Sequence, residues 1–248
     1  WLVAAGVLFA IIFGKHIYGG LGHNVFNPAM VGFALLILSF PLAMSQWPVI
    51  DSTGPDIAVL IQIKLGLLAV PDGITAATPL DIVKFRGSQT IDEVWLPKYG
   101  FNSLAGVGWG WISVAFLLGG LYLLKNRVIQ YHAPASLLLT LTLLSIFFYD
   151  SGSSDSLGSP LLHLFSCSTM FAAFFIVTDP VSSPSGTAGQ IIFGAGVGII
   201  TFIIRTAGAY PEGIAFAILL MNAAAPLIDR LRLAPPALSS LTGRGKSE

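Results

Sequence analysis

The chain has 248 residues, of which 54% are hydrophobic and 10% charged, against about 25% charged in an ordinary soluble domain. Its 12 basic and 12 acidic residues balance, which argues against a nucleic-acid partner. The single cysteine, Cys167, excludes a disulfide framework and an iron–sulfur site built by this chain alone.

Charges concentrate between residues 51 and 98, near residue 125 and at the C-terminus. The long stretches between them are nearly charge-free, as spans through a bilayer are. The first residue, Trp1, already lies inside an apolar run, so the chain reads as lacking its N-terminal part. Seven apolar segments follow in order, roughly 1–18, 28–45, 104–124, 134–149, 160–178, 188–204 and 213–228. Several fall short of the ~20 residues of a straight crossing. Together with internal Gly and Pro this predicts tilted, broken or re-entrant helices. The expected fold is an all-α polytopic membrane protein, a helical bundle forming one membrane domain over residues 1–248.

Short loops set the orientation. Lys125, Arg127 and His132 lie between the third and fourth segments, and Arg230, Arg232, Arg244 and Lys246 follow the last. The positive-inside rule places both clusters in the cytoplasm. An even number of crossings separates them, so the two assignments agree. The loop 150–159 carries Asp150 and Asp155 and no base, whereas Arg205 is the one base placed outside. Counting back, the long loop 46–103 lies outside, which in a Gram-negative inner membrane is the periplasm. Lys15 and His16 fall inside.

That outer loop contains Asp72-Gly73-Ile74-Thr75-Ala76-Ala77-Thr78-Pro79-Leu80-Asp81. The pattern Asp-x-x-Ser/Thr-x-Ala-Thr resembles the recognition site of flavin transferases, which join FMN to threonine through a phosphoester. Such chemistry needs an exposed hydroxyl with small neighbours, here Ala76 and Ala77. Pro79 holds Thr78 out of the α region. The same residues also read as a helix start, with Thr78 as N-cap, Pro79 at the first position and Asp81 in the first turn. The readings are compatible, because a phosphate on an N-cap threonine sits at a helix N-terminus. A short helix is expected over residues 80–86.

Ser166-Cys167-Ser168-Thr169 is a degenerate copy of that signal. It has His163 in place of the acid and lies within an apolar segment, so it is assigned to packing or a non-covalent ligand. Gly19-Gly20-Leu21-Gly22 and Asn27-Pro28 form a second constellation, and Thr178-Asp179-Pro180-Val181-Ser182-Ser183 a third, both near the cytoplasmic side. Turns of this kind hold a ring-shaped cofactor or an ion, or are simply loop chemistry. His163 reads as a proton relay or as a histidine bonded to a carbonyl of a neighbouring helix. Arg205 reads as an interfacial base paired to Glu212.

Taken in order, these motifs resemble one family. The resemblance rests on Gly19-Gly20-Leu21-Gly22 with Phe26-Asn27-Pro28-Ala29-Met30-Val31-Gly32, on Asp72-Gly73 with Ala77-Thr78-Pro79-Leu80-Asp81, and on Met170 through Val181. It continues through Tyr210-Pro211-Glu212-Gly213-Ile214-Ala215-Phe216-Ala217 to Pro226-Leu227-Ile228-Asp229. The chain resembles the RnfD/NqrB family. It is most similar to RnfD, a membrane component of the Rnf electron-transport complex, and more distantly to NqrB of the sodium-translocating NADH:quinone oxidoreductase. Ala76 stands where the family pattern often has Gly. The resemblance implies about ten spans related by an inverted repeat, hence roughly three before Trp1.

It also implies a component of an ion-translocating oxidoreductase that passes electrons between flavins. The complex couples ferredoxin and NAD(H) to movement of Na+ or H+. FMN is expected on Thr78, with Asp72 and Thr75 completing the attachment motif. A non-covalent riboflavin is placed near Asn27 and Asp179. Partners would be other Rnf subunits, including a periplasmic flavin subunit and iron–sulfur subunits, a flavin transferase for maturation, and the lipid bilayer. NADH oxidation and ferredoxin contact belong to other subunits. The competing readings are the quinone-reductase homologue and a channel or transporter of related fold, the latter giving the flavin signal no role.

Overall fold

The computed structural model describes residues 1–20, 22–48, 56–68, 75–91, 93–94 and 108–233. Among these, eleven α-helices carry the architecture, and β-structure is confined to a pair of two-residue strands. Helix α1 spans Leu2–Gly14, α2 Pro28–Ser39, α3 Pro41–Met44, α4 Ile57–Lys64 and α5 Pro79–Lys84. Then come α6 over Trp109–Lys125, α7 over His132–Phe147, α8 over Pro160–Phe165 and α9 over Thr169–Phe171. The ninth helix runs on as one π-type turn, Ala172–Ile176. Finally α10 covers Thr187–Ala207 and α11 Ile214–Leu233. Strands β1 (Trp47–Pro48) and β2 (Thr75–Ala76) pair antiparallel, with Trp47 opposite Ala76.

A recurring local rule opens three of these helices. A polar N-cap precedes a proline at Asn27-Pro28, Thr78-Pro79 and Ser159-Pro160, and each cap side chain accepts a hydrogen bond from a first-turn N–H. Proline loses nothing there, since that position has no intrahelical acceptor for its N–H. Breaks divide two of the predicted spans. Phe40 separates α2 from α3 at φ −133°, and Ser166–Ser168 separate α8 from α9. Among the described helices only α10 is both long and apolar enough for a straight crossing; Leu2–Tyr18, Pro28–Ser39, Trp109–Lys125 and His132–Phe147 are shorter apolar helices. The expectation of short and broken segments is therefore met, while the count of seven spans stays an expectation.

The core lies between α7, α9, α10 and α11. Leu137, Phe193, Val197, Ile214, Ala217 and Ile218 are essentially inaccessible. Close approach of α10 to α7 depends on small residues at four-residue spacing on α10. A side chain at Gly194 would run into the Ala133 carbonyl and the Ser136 hydroxyl, and one at Gly198 would lie 3.0 Å from the Leu137 carbonyl. Many large apolar side chains elsewhere face outward, among them Trp111, Leu118, Phe147 and Leu227, as lipid-facing surfaces require.

Replacing Gly194 with leucine should therefore separate α7 from α10 and cost about 3 kcal/mol or more, as overpacking does. Gly119, where an added Cβ meets only the Phe175 ring edge at 3.3 Å, should accept alanine with little change. Thermal melts of the two detergent-solubilised variants make the comparison.

Candidate functional site

Two cavities sit at opposite ends of α2 and of the α9 helix. The first, of about 440 Å3, is lined at one end by Ile37, Pro41, Thr78, Asp81, Cys167 and Glu212 among others. The second, of about 790 Å3, is lined by Lys15, Gly22, Asn24, Asn27 and Asp179 among others. Phe33 lines both. Both volumes fall within or near the range of about 300–1,000 Å3 usual for small-molecule and cofactor sites.

Thr78 is the N-cap of α5 in a complete capping box. Its hydroxyl accepts from the Asp81 N–H at 3.2 Å, while its own N–H and O–H donate to Asp81 Oδ2 at 2.8 and 2.6 Å. The predicted helix is present but covers Pro79–Lys84, so Arg86 falls outside it. Arg86 is held instead by the carbonyls of Val83, Ser154 and Ser156. Thr78 is only 4% exposed, which corrects the expectation of an open hydroxyl. The capping box uses its polar groups, and the residue turns toward the cavity rather than the surface. Lys84 pins α5 to the end of α10, its ammonium donating to the carbonyls of Ile204, Arg205 and Tyr210 at 3.0–3.2 Å. Burial draws that ammonium below its ordinary pKa, and Asp81 opposes the shift.

The opposite wall of this cavity is the break between α8 and α9. Cys167 takes φ +52° there, an uncommon conformation for a residue other than glycine. Cys167 and Ser168 line the same cavity as Thr78. The stretch assigned from sequence to packing or to a non-covalent ligand is thus a cavity wall. Arg205 fixes the break: its guanidinium donates to the His163 carbonyl (2.8 Å), to Thr169 Oγ1 (2.8 Å) and to both Glu212 oxygens (3.0 and 3.2 Å). Glu212 in turn accepts from the N–H groups of Ser168 and Ile214, each at 3.2 Å. The pairing read from sequence holds, yet Arg205 does not reach toward the interface. Its side chain is 1% exposed against 20% for Glu212, because a backbone carbonyl and a hydroxyl inside the bundle take its donors. His163 is bonded through Nε2 to the Leu157 carbonyl at 2.9 Å, a carbonyl of the loop just before α8 and not of a neighbouring helix.

At the far cavity the structure brings Asn27 and Asp179 together. Asn27 caps α2 through Oδ1, and its Nδ2 donates to Asp179 Oδ2 at 3.4 Å. Ser182 Oγ and the Val181 N–H also donate to Asp179, at 2.7 and 3.3 Å. Asn222 completes the network, accepting from the Asn27 N–H at 2.9 Å and donating to the Ser182 carbonyl at 3.0 Å. Sequence reading missed Asn222. The available signal was an amide in an apolar helix, one turn before Pro226. Gly20 and Gly22 have positive φ with open space around them, so turn geometry, not close packing, calls for glycine. Of the predicted attachment motif, Asp72 lies outside the described residues, and Thr75 is described only as backbone in β2.

These features define a helical membrane protein whose broken helices frame two cofactor-sized cavities. The chain belongs to the NQR2, RnfD, RnfE family, whose model matches residues 1–235. It is 51% identical over 228 residues to the D component of the ion-translocating oxidoreductase complex of Pseudomonas paraeruginosa, covering 92% of this chain and 65% of that protein. The proteins of the same name from Cellvibrio japonicus and Vibrio vulnificus are 49% and 44% identical, each across 92% of this chain and across 66% and 70% of their own lengths. The chain thus spans about two thirds of the relatives it matches.

Arg205→Met should leave Glu212 without its buried partner and cost about 3 kcal/mol, as breaking a buried pair does. Glu212→Gln, which keeps acceptors for Arg205 and for one N–H, should cost less. Urea or thermal denaturation of the two variants in detergent gives the ranking.

Proposed function

We propose that this chain is a membrane component of an ion-translocating oxidoreductase complex and carries FMN as a phosphoester on Thr78. The observation that carries the reading is the placement of Thr78, inside its flavin-attachment motif, on the wall of a 440 Å3 cavity rich in aromatic rings. Trp47 and Trp109 meet edge to face at 5.4 Å there, and Phe116 and Phe171 lie at 4.9 Å. Planar walls of this kind suit a flat tricyclic ring. When bound, FMN supplies one- and two-electron redox chemistry at this end of the bundle. Thr78 is its tether, and the aromatic walls exclude water and orient the ring. The Arg205–Glu212 pair keeps the Cys167–Ser168 wall in place.

The second cavity is the site for a non-covalent flavin, riboflavin, with Asn27 and Asp179 offering an amide and a carboxylate. Phe33, on the wall of both cavities, stands on the electron route between them. The Thr78 cavity faces the periplasm and the C-terminus the cytoplasm. Net electron transfer runs between ferredoxin and NAD(H) through partner subunits that carry flavin and iron–sulfur centres, coupled to Na+ or H+ movement. The names of the relatives favour this assignment over the quinone-reductase homologue, and the attachment motif favours both over a channel.

Co-expression with a flavin transferase should give a band that fluoresces after denaturing electrophoresis and carries the added mass of FMN. Thr78→Val should abolish both signals, whereas Thr169→Val should keep them. Fluorescence that survives Thr78→Val overturns the assignment. Cys167, the chain's only cysteine, should react with a small thiol reagent several-fold more slowly in the flavin-loaded protein than in Thr78→Val. Equal rates would show that the ring lies elsewhere.

A further inference from the structure

Four buried side chains around the α8–α9 break carry polar atoms with no protein partner: His163 Nδ1, Ser166 Oγ, Thr201 Oγ1 and Arg205 Nε. Each of these residues is at most 4% exposed. They adjoin one another. Arg205 is bonded to the His163 carbonyl, and Ser166 lies three residues beyond His163. Thr201 is one turn before Arg205 on α10, and the Phe202 ring packs on the His163 ring at 5.3 Å. Buried polar atoms are nearly always hydrogen-bonded, to ordered water where protein does not serve.

The chemistry of the four atoms selects the occupant. A carbonyl only accepts, so His163 Nε2 must carry the proton it gives to Leu157, and Nδ1 of the neutral ring is an acceptor. Arg205 Nε–H is a donor only. A single occupant serving both atoms must accept from one and donate to the other. A metal cation fails at Arg205, and a simple anion fails at His163. Water satisfies both, and the two hydroxyls take either role.

The position of these atoms gives the water a purpose. A third cavity, of about 280 Å3, is lined by Lys84, Arg86, Asp155, His163, Arg205 and Pro211 among others, and Asp155 on its wall is exposed. Pro211 also lines the Thr78 cavity, and Arg205 is bonded to Glu212, which lines it too. The Arg205–Glu212 pair thus stands between a solvent-facing polar cavity and an apolar one. We propose that water bound among His163, Ser166, Thr201 and Arg205 forms a hydrated passage behind this pair, giving protons access to the Thr78 cavity. Only the purpose of the passage rests on the flavin reading; the hydration does not.

Thr201→Val exchanges the hydroxyl for a methyl group at nearly constant volume. In a dry core this removes an orphaned polar atom, and stability holds or rises. Where the hydroxyl holds a water, the water loses a partner and stability falls. The intact complex carrying Thr201→Val should melt about 2–4 °C lower. In the Ser166→Ala, Thr201→Val double variant, amide hydrogen exchange of residues 166–169 should slow about tenfold. The same pair of results is expected in a flavin-free Thr78→Val background, so hydration is tested apart from flavin attachment. An unchanged or raised melting temperature with unchanged exchange overturns the passage. Hydration found together with an unlabelled Thr78 would refute the flavin reading alone.

Discussion

A single buried guanidinium governs the end of the bundle where the attachment motif lies. A helix broken at depth leaves backbone groups that lipid cannot serve. Arg205 answers that problem for the α8–α9 break by donating to the His163 carbonyl and to Thr169, whose hydroxyl bonds the same carbonyl. Its charge is balanced by Glu212, which spends its remaining capacity on the N–H groups of Ser168 and Ile214. One ion pair thereby joins the break, the end of α10 and the start of α11. Burying such a pair is costly unless its remaining donors and acceptors are used. Here nearly all of them are, and the exception, Arg205 Nε, belongs to the orphaned polar cluster.

The second cavity is built on the same logic with weaker charges. Asn27 serves two structures at once: its oxygen caps α2 and its amide reaches Asp179. Asn222 ties that corner to α11 and to the 178–183 turn. Both cavities thus form where helix ends and turns are stitched by side chains rather than where regular helices touch. The regular contact, α7 against α10, is close-packed and glycine-lined. It contributes rigidity.

How much of this was legible in the sequence depended on range. The N-cap and proline signals at residues 27–28 and 78–79 are local, and they appear in the structure where the sequence placed them. The pairing of Arg205 with Glu212 spans seven residues and was also readable. The exposure of Thr78 was misread, because burial is decided by the α8–α9 wall nearly ninety residues away along the chain. The break at Cys167 had no local signal either, since an apolar run gives no sign of where it breaks. Asn222 reaches a partner 195 positions away, and no local pattern encodes that. The span count stays an expectation for the same reason, as helices of 12–17 residues cross, re-enter or stop according to what they pack against.

The capping box on α5 has a consequence for the attachment proposed at Thr78. Its shortest bond is donated by the Thr78 hydroxyl to the Asp81 carboxylate, and it exists only while that oxygen keeps its hydrogen. An ester at the same oxygen leaves nothing to donate and sets a phosphate anion beside the carboxylate. The unmodified chain is therefore the one whose α5 start is best satisfied, and a loaded chain must find Asp81 another donor. Under the proposed attachment, empty and loaded proteins are thus two differently wired structures, not one structure with a ligand added. An enzyme acting on Thr78 meets a side chain already committed to its own helix.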